Sequence, residues 1–270
     1  MKDVSVIMGA YNIEGKSVRG IDSILKQNYE DFEVIIINDG STDDTHLILK
    51  EYEKMDSRVK VYNSLKNIGL GGALNVALSK SSADIVMRMD IDDHAYPDRM
   101  DHQYSFLKSN PNIGALSCHF NRVYDNGDLI DTVKLPLIHD DIVKNLSRTR
   151  GFCHGGSMIR KKSFEIGGLY NSNLRRTEDY DLWLRWRKNV RFANLNQVLL
   201  DVYRPNLISW EKNRGTSYLK IHTELRKVLV ANIYTSPTKA HDIYCLIYNE
   251  INGLMYQPMK RIIKKVSKKQ

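Results

Sequence analysis

The sequence predicts an α/β fold in which a mostly parallel central sheet is flanked by helices and followed by a helical carboxyl-terminal extension. Up to about residue 118, short and nearly all-apolar segments alternate with amphipathic segments of about ten to fifteen residues. Strands that are apolar on both faces are typical of parallel sheets covered by helices on both sides. The composition, with 42% hydrophobic and 27% charged residues, is that of a globular chain.

The individual elements follow from the same periodicity. In the first part of the chain, strands are predicted at residues 4–10, 32–38, 59–62 and 84–89, and helices at 17–27, 42–55 and 70–79. After residue 112 the alternation ends, and Asn126-Gly127-Asp128 predicts the turn of a β-hairpin over residues 118–133. The later predictions are helices at 140–147 and 178–187, a strand at 198–203, and helices at 217–235 and 239–256.

Three of the predicted strands end in polar, turn-forming loops. These loops begin with Gly9-Ala10-Tyr11-Asn12, Asn38-Asp39-Gly40-Ser41 and Asp90-Ile91-Asp92-Asp93. Because ligands of parallel α/β sheets bind at the carboxyl ends of the strands, the loops mark the predicted site. Asp39 is open to two interpretations: it accepts a hydrogen bond from a ribose or a base, or it is a turn or helix-capping aspartate.

The carboxylates of Asp90, Asp92 and Asp93 predict a bound divalent cation. Like charges at the end of a buried strand repel one another and lose solvation, which is costly unless a cation compensates. Mg²⁺ and Mn²⁺ are commonly held by one or two carboxylates together with substrate phosphates. A solvated acidic turn is the alternative, and the position after a buried strand favours the metal. Arg88, inside that strand, is predicted to pair with a carboxylate or a diphosphate.

A second acidic group, Glu178-Asp179-Tyr180-Asp181, opens the helix predicted at 178–187. Acidic residues in a first helical turn are ordinary partners of the helix dipole. The functional interpretation is a general base at the edge of the site, which contributes about 10²–10⁴-fold when it reaches the acceptor proton. Trp183 and Trp186 lie three residues apart, so one helix face can bury both, and stacking on a ligand is the alternative.

Taken in order, these segments resemble glycosyltransferase family 2, whose members have the GT-A fold with a Rossmann-like sheet. The resemblance covers about residues 3 to 205 and is carried by Val4-Ser5-Val6-Ile7 to Tyr11-Asn12, Ile37-Asn38-Asp39-Gly40-Ser41-Thr42-Asp43, Asp90-Ile91-Asp92-Asp93, His154-Gly155-Gly156-Ser157 and Glu178-Asp179-Tyr180-Asp181-Leu182-Trp183. It implies transfer of a hexose or N-acetylhexosamine from a nucleotide sugar, often UDP-linked, with inversion at the anomeric carbon. Surface polysaccharide synthesis on a glycan or lipid-linked glycan acceptor is the analogous role.

The resemblance also implies roles for single residues. Ala10, Tyr11 and Asp39 match positions that contact the nucleoside. Asp90 and Asp92 match the Asp-x-Asp that holds Mn²⁺ or Mg²⁺ and the diphosphate.

On the acceptor side, Asp179 matches the catalytic base, with Glu178 beside it. His154, Gly155 and Trp183 are expected near the acceptor.

The predicted organisation is a glycosyltransferase domain at 1–205, with a nucleotide-sugar half at 1–118 and an acceptor half at 119–205. A helical extension at 206–257 and a basic amphipathic tail at 258–270 follow. Tyr203-Arg204-Pro205-Asn206 departs from many relatives, which carry histidine at the last position, and puts a histidine metal ligand there in doubt. The Gln-x-x-Arg-Trp motif of the processive synthases is absent, which favours addition of one or a few sugars.

Other classes fit the residues less well. A P-loop kinase or NTPase needs four residues between the two glycines of its phosphate loop, whereas five residues separate Gly9 from Gly15-Lys16-Ser17. A dehydrogenase would need the full Gly-x-Gly-x-x-Gly fingerprint, but Gly69-Leu70-Gly71-Gly72-Ala73-Leu74 has leucine at the position of the third glycine. A nucleotidyltransferase would present a glycine-rich, basic amino-terminal loop. A non-catalytic carbohydrate-binding or scaffold protein of the same fold stays open, although the expected carboxylates are all present.

The net charge of +8 is a property of the carboxyl-terminal tail. Residues 258–270 hold six basic residues and no acidic ones, which leaves +2 for the rest, so no nucleic-acid partner is predicted. Met259, Ile262, Ile263 and Val266 form one apolar stripe if the tail is helical, and the surrounding charge predicts docking on an anionic membrane surface. With neither a signal peptide nor a Cys-x-x-Cys pair, the predicted location is cytoplasmic, at the inner face of the cell membrane.

Overall fold

The computed structural model describes residues 2–146, 151–204, 227, 228 and 230. The chain forms two compact units, Met1–Leu207 and Ile208–Gln270. In the second unit, Lys227, Val228 and Val230 have helical backbone. The remainder of the predicted helical extension and the whole basic tail lie outside the described residues. Within the described part of the chain, no helix is long and apolar enough to cross a bilayer.

Nine strands make one sheet within the described residues, and the predicted α/β fold class is confirmed. They are β1 (Val4–Ala10), β2 (Phe32–Asn38), β3 (Val59–Asn63), β4 (Ile85–Arg88), β5 (His94–Ala95), β6 (Ala115–Tyr124), β7 (Leu129–Val133), β8 (Met158–Arg160) and β9 (Phe192–Arg204). The order across the sheet is β3-β2-β1-β4-β8-β6-β9-β5, and β7 pairs with β6.

Seven helices connect and flank these strands in the same part of the chain. They are α1 (Arg19–Leu25), α2 (Thr45–Met55), α3 (Gly69–Lys80), α4 (Arg99–Ser109), α5 (His139–Leu146), α6 (Lys161–Gly167) and α7 (Glu178–Trp186).

The first half of the sheet is parallel, as its apolar strands predict. β2 pairs in parallel with β1 and β3, and β1 pairs in parallel with β4. Every residue of β2 is buried, which explains why this strand is apolar on both faces. Ala10 pairs with Asn38, so the loops that follow β1 and β2 begin side by side.

The second half of the sheet is mixed. β8 runs antiparallel to both β4 and β6, and β6 pairs in parallel with β9. β6 and β7 form the predicted hairpin, with Gly127 at a φ of +95° in its turn. The sequence does not predict β8, because three residues are too few to show a period. β9 begins earlier than predicted. The sequence does not indicate its first residues, because Asn194, Asn196 and Gln197 interrupt the apolar pattern.

The sequence also does not predict α4, because this helix buries polar side chains. Arg99 and Gln103 are fully buried. Arg99 Nη2 donates to the carbonyl of Arg88 (3.1 Å), Arg99 Nε donates to Gln103 Oε1 (3.0 Å), and Gln103 Nε2 donates to the carbonyl of Gly156 (2.7 Å). A buried face with a guanidinium and an amide leaves only a weak apolar stripe. The helix thereby holds the backbone of β4 and of the segment before β8, where the candidate site begins.

Candidate active site

The loops that follow β1 and β2 are tied together by hydrogen bonds. The carbonyl of Ala10 accepts a hydrogen bond from the N–H of Asp39 (2.8 Å). Asn12 has a left-handed backbone, with a φ of +49°, and its Oδ1 accepts a hydrogen bond from the N–H of Thr42 (3.0 Å). Tyr11 is 47% exposed. The three residues expected to contact a nucleoside therefore lie at adjacent strand ends.

Asp39 caps α3. Its side chain is buried, its Oδ1 accepts the N–H of Ile68 (2.7 Å), and its Oδ2 accepts the N–H of Gly69 (2.9 Å). These N–H groups at the start of the helix have no partner within the helix itself. The capping interpretation is confirmed, on α3 rather than on α2, which is the next helix along the chain from Asp39. Contact with a nucleoside stays a prediction.

The acidic loop after β4 meets a buried arginine. Arg88 is 3% exposed and forms an ion pair with Asp90, as the sequence predicts. Burial alone would lower the pKa of the guanidinium, but the carboxylate of Asp90 more than offsets this and raises it. A Cβ on Gly155 would lie 3.2 Å from Arg88 Nη1, 3.2 Å from Asp90 Oδ2 and 3.4 Å from Asp93 Oδ2. Glycine at this position therefore leaves room for three charged groups.

The other two carboxylates of the loop have raised pKa values. Asp93 is buried, and its Oδ1 accepts the N–H of Tyr203 (2.9 Å) at the end of β9. Burial, and then repulsion by Asp90, raise the pKa of Asp93 to about 8. Asp92 reaches solvent, yet partial desolvation by neighbouring protein atoms, and then the charge of Asp90, raise its pKa as well. The raised pKa values show that the positive charges of Arg88 and Arg204 do not offset the burial and mutual repulsion of these carboxylates, which favours a cation here.

The carboxylates of the loop fit a metal ion that takes some of its ligands from the protein and the others from a bound substrate. In the described part of the chain, no three His, Cys, Asp or Glu side chains converge as a complete metal cage. Mg²⁺ and Mn²⁺ do not require one, because one or two carboxylates plus phosphate oxygens and water are a common arrangement. Asp90 and Asp92 are suited to such a shared site.

Close backbone packing positions the acidic loop. Gly20 of α1 donates its N–H to the carbonyl of Ile91 (2.9 Å). A Cβ on Gly20 would lie 2.2 Å from the carbonyl oxygen of Asp90, so no other residue fits without moving the loop. The sequence does not reveal this role, because a single glycine in a helical pattern does not indicate what it packs against.

A cavity of about 890 Å³ brings most of the predicted site residues together. Six of them line it, namely Arg88, Asp90, His154, Gly155, Glu178 and Asp179. Positive side chains also line it, namely Arg122, Lys134, Arg176 and Arg204. Ala10, Tyr11, Asp39 and Asp92 do not belong to this lining. The cavity thus joins the acidic loop to the acidic start of α7.

The first turn of α7 presents two carboxylates to the cavity. Glu178 is 5% exposed, and its Oε2 has no hydrogen-bond partner among the described residues. Burial, and then the charge of Asp179, raise the pKa of Glu178 to about 7. Asp179 is half-buried, its Oδ1 accepts the N–H of Tyr180 (2.7 Å), and burial raises its pKa. A carboxylate with a raised pKa binds a proton more tightly than one in water, which suits a general base.

We expect Glu178→Gln to stabilise the ligand-free protein increasingly as the pH rises from about 5 to 8. The pKa of Glu178 in the folded chain, about 7, lies above its ordinary value of 4.5. Stability from the bound proton is therefore lost as the pH rises through about 7, and the neutral amide avoids that loss. The difference in unfolding free energy should approach about 3 kcal/mol above that pH.

Thermal unfolding of both proteins across this pH range measures the effect. Glu165→Gln, at an exposed position of α6, is the matched control and should leave the pH profile unchanged. A stability difference between Glu178→Gln and the native chain that stays constant with pH would contradict the prediction.

His154 lines the cavity and contacts Tyr170. His154 is 9% exposed and Tyr170 is 3% exposed, and 2.9 Å separates His154 Nε2 from Tyr170 Oη. Burial, and then repulsion by Arg88, lower the pKa of His154 well below its ordinary value. The imidazole is therefore neutral at physiological pH.

The expected acceptor contact of Trp183 is wrong. Its side chain is 2% exposed and does not line the cavity. The ring packs edge-on against Phe152, Trp186 and Phe192, with centroid separations of 4.8, 5.5 and 5.9 Å. A ring enclosed by other aromatic rings cannot stack on a sugar. Trp183 belongs to the core, as its three-residue spacing from Trp186 predicts.

Several lining residues were not predicted, and some of them left a signal. Phe120 and Arg122 are two residues apart on β6, as are Val202 and Arg204 on β9, the spacing at which side chains share one face of a strand. That period could have identified this side of the cavity. Tyr170, which contacts His154 but does not itself line the cavity, lies in an irregular segment between α6 and α7, where no period exists to read.

Solved structures share this architecture. TarS of Staphylococcus aureus, in a complex with UDP-GlcNAc, superimposes with a TM-score of 0.69 at 20% identity, over 90% of this chain and 70% of that one. The mannosyltransferase PcManGT from Pyrobaculum calidifontis, in a complex with GDP-Man and Mn²⁺, gives a TM-score of 0.60 at 17% identity, over 97% and 83% of the two chains. These likenesses place the chain in the class of GT-A folds, as predicted.

Sequence relationships narrow the class. The glycosyl transferase family 2 model matches residues 5–167. The O-antigen biosynthesis glycosyltransferase WbnJ of Escherichia coli is 35% identical over 241 residues, which is 86% of this chain and 91% of that protein. The chain therefore belongs to glycosyl transferase family 2 and is a glycosyltransferase.

Proposed function

We propose that this chain transfers a hexose or N-acetylhexosamine from a nucleotide sugar to a hydroxyl group of a glycan or lipid-linked glycan, with inversion at the anomeric carbon. The observation that carries the proposal is the cavity, which holds the Asp90–Arg88 ion pair together with the two carboxylates of α7. The ion pair and its loop suit a metal-bound diphosphate, and the carboxylates of α7 suit a hydroxyl group that must lose a proton.

At the donor end, Asp90 and Asp92 would hold Mn²⁺ or Mg²⁺ together with phosphate oxygens of the substrate. When bound, such an ion neutralises the charge that develops on the leaving diphosphate. Arg88 holds the Asp90 carboxylate in place from inside β4. Ala10, Tyr11 and Asp39 are proposed to contact the nucleoside at the adjacent strand ends.

At the acceptor end, Asp179 is proposed to remove the proton of the attacking hydroxyl. Its raised pKa and its place at the cavity wall support this role. The hydrogen bond from the N–H of Tyr180 to its Oδ1 orients the carboxylate. Glu178 lies beside it with one unpartnered oxygen, and is proposed to assist in placing the acceptor. Single displacement at the anomeric carbon needs no further nucleophile from the protein.

The comparisons support a donor and a pathway for the proposal. The complex of TarS with UDP-GlcNAc supports a UDP-linked donor, and the complex of PcManGT with GDP-Man and Mn²⁺ supports a divalent ion. The relationship to an O-antigen biosynthesis glycosyltransferase supports a role in surface polysaccharide synthesis.

A thermal-shift panel of UDP- and GDP-linked sugars, each with and without Mn²⁺, tests the donor class. A nucleotide sugar at about 100 times its dissociation constant should add about 2.7 kcal/mol to the unfolding free energy. The rise in melting temperature should be larger with Mn²⁺, because the ion is bound by the protein carboxylates and by the phosphate oxygens of the nucleotide sugar together. If no nucleotide sugar raises the melting temperature under either condition, the proposed function fails.

We propose that the basic tail at 258–270 attaches the protein to the inner face of the cell membrane. The six basic residues would each contribute about 1 kcal/mol near an anionic leaflet, before entropy and screening reduce the sum. Sedimentation with anionic and neutral liposomes tests this. The full chain should bind anionic vesicles in a salt-dependent way, and a chain ending at Gln257 should not. Equal partitioning of the two chains would contradict the attachment.

A further inference from the structure

His154 and Tyr170 form a buried pair whose hydrogen bond has a defined direction. Among the described residues, His154 Nε2 is the hydrogen-bond partner of the Tyr170 hydroxyl. If Nε2 donated to the phenol oxygen, the buried O–H of Tyr170 would have no acceptor, at a cost comparable to a lost hydrogen bond. The hydroxyl therefore donates to Nε2, and the neutral imidazole carries its proton on Nδ1.

The Nδ1–H group is left available at the cavity. Nδ1 makes no hydrogen bond within the described part of the chain, and it is not among the enclosed polar atoms that lack a partner. His154 itself lines the cavity. The rings of Tyr170 and Trp183 pack against the imidazole, with centroid separations of 5.5 and 5.9 Å, and hold its orientation. The result is a fixed, neutral hydrogen-bond donor in the wall of the site.

We propose that His154 contacts the substrate, donating a hydrogen bond from Nδ1 to a hydroxyl or carbonyl oxygen of a sugar, and that Tyr170 is a positioning residue that fixes this tautomer. The inference rests on the proposed function and adds a specificity contact to it. Both the transferred sugar and the acceptor present oxygens of this kind. A neutral donor suits them, whereas an anion would be better served by the positive side chains of the same cavity.

Two replacements of His154 separate the roles of its nitrogens. The side-chain amide of asparagine can place an N–H near the position of Nδ1, and that of glutamine near the position of Nε2. We expect His154→Gln to lower kcat/KM by about tenfold, the effect of one lost hydrogen bond, and His154→Asn to stay within about threefold of the native chain. His102→Gln, on the exposed side of α4, is the matched control.

Tyr170→Phe tests the positioning role. It frees the imidazole to adopt the other tautomer, so kcat/KM should fall by about threefold or more in the native background and remain unchanged in the His154→Asn background. A purely structural tyrosine would cost the same in both backgrounds. Thermal unfolding of each variant separates loss of fold from loss of contact. If both His154 variants unfold, a folded Tyr170→Phe variant with native kcat/KM would still contradict the positioning role.

Hydrolysis of the nucleotide sugar in the absence of acceptor identifies which sugar is contacted. Slower hydrolysis by His154→Gln indicates the transferred sugar, while unchanged hydrolysis with a raised acceptor KM indicates the acceptor; both support the inference. If the native chain turns over a nucleotide sugar but the Asn and Gln variants behave alike, the inference is overturned and the proposed function stands. If the native chain neither binds nor hydrolyses any nucleotide sugar, the proposed function itself is overturned.

Discussion

Replacement of Asp179 by asparagine is expected to lower turnover by about 10²-fold or more while donor affinity stays within a few-fold. The amide keeps the shape of the side chain and its acceptor oxygen for the N–H of Tyr180, but it cannot take a proton. The loss should therefore appear in kcat and hardly in the dissociation constant of the nucleotide sugar. Steady-state kinetics together with calorimetric titration of the donor measure the two quantities.

Asp140→Asn is the matched control for this experiment. Asp140 also lies in the first turn of a helix, α5, but it is exposed and does not line the cavity. The same change from aspartate to asparagine at this position should leave kcat and the dissociation constant of the nucleotide sugar unaltered. If Asp179→Asn lost donor affinity and kept its turnover, Asp179 would be a binding residue, and the base would have to be sought at Glu178.

Removal of the Asp92 carboxylate is expected to abolish most activity without unfolding the protein. Asp92→Ala removes one of the two carboxylates proposed to hold Mn²⁺ or Mg²⁺, so transition-state stabilisation worth about 10²-fold or more should be lost. Because Asp92 reaches solvent and its pKa is raised by its surroundings, its removal relieves repulsion and should not lower the melting temperature. Excess EDTA should reduce the native activity in the same way.

Asp84→Ala provides the control, since Asp84 is an exposed aspartate just before β4, at the opposite end of the same strand. It should retain native turnover and the native response to Mn²⁺. Full activity of the native chain in EDTA would refute the metal, whereas normal turnover of Asp92→Ala with metal dependence intact would move the metal to other carboxylates.

The predictable part of the site is the part whose signals are local. The acidic loop after β4 and the acidic start of α7 were found because carboxylates next to buried, apolar segments stand out within a few residues of sequence. Arg88 was expected to pair with a carboxylate, and Asp90 is two positions away. The spacing of Trp183 and Trp186 correctly indicated a shared buried face, whereas the expected contact of Trp183 with the acceptor was wrong, because spacing along a helix does not show how far that face lies from a site.

By itself, the sequence determined the parallel half of the sheet, because a buried parallel strand must be apolar along its length, and β1 and β2 begin and end at the predicted residues. The tertiary structure decided the rest. It placed β8 antiparallel between β4 and β6, which brings His154 and Gly155 to the acidic loop, and it set Tyr170 against His154 across sixteen residues of chain. Such contacts depend on how segments distant in sequence pack together, and no single segment carries that information.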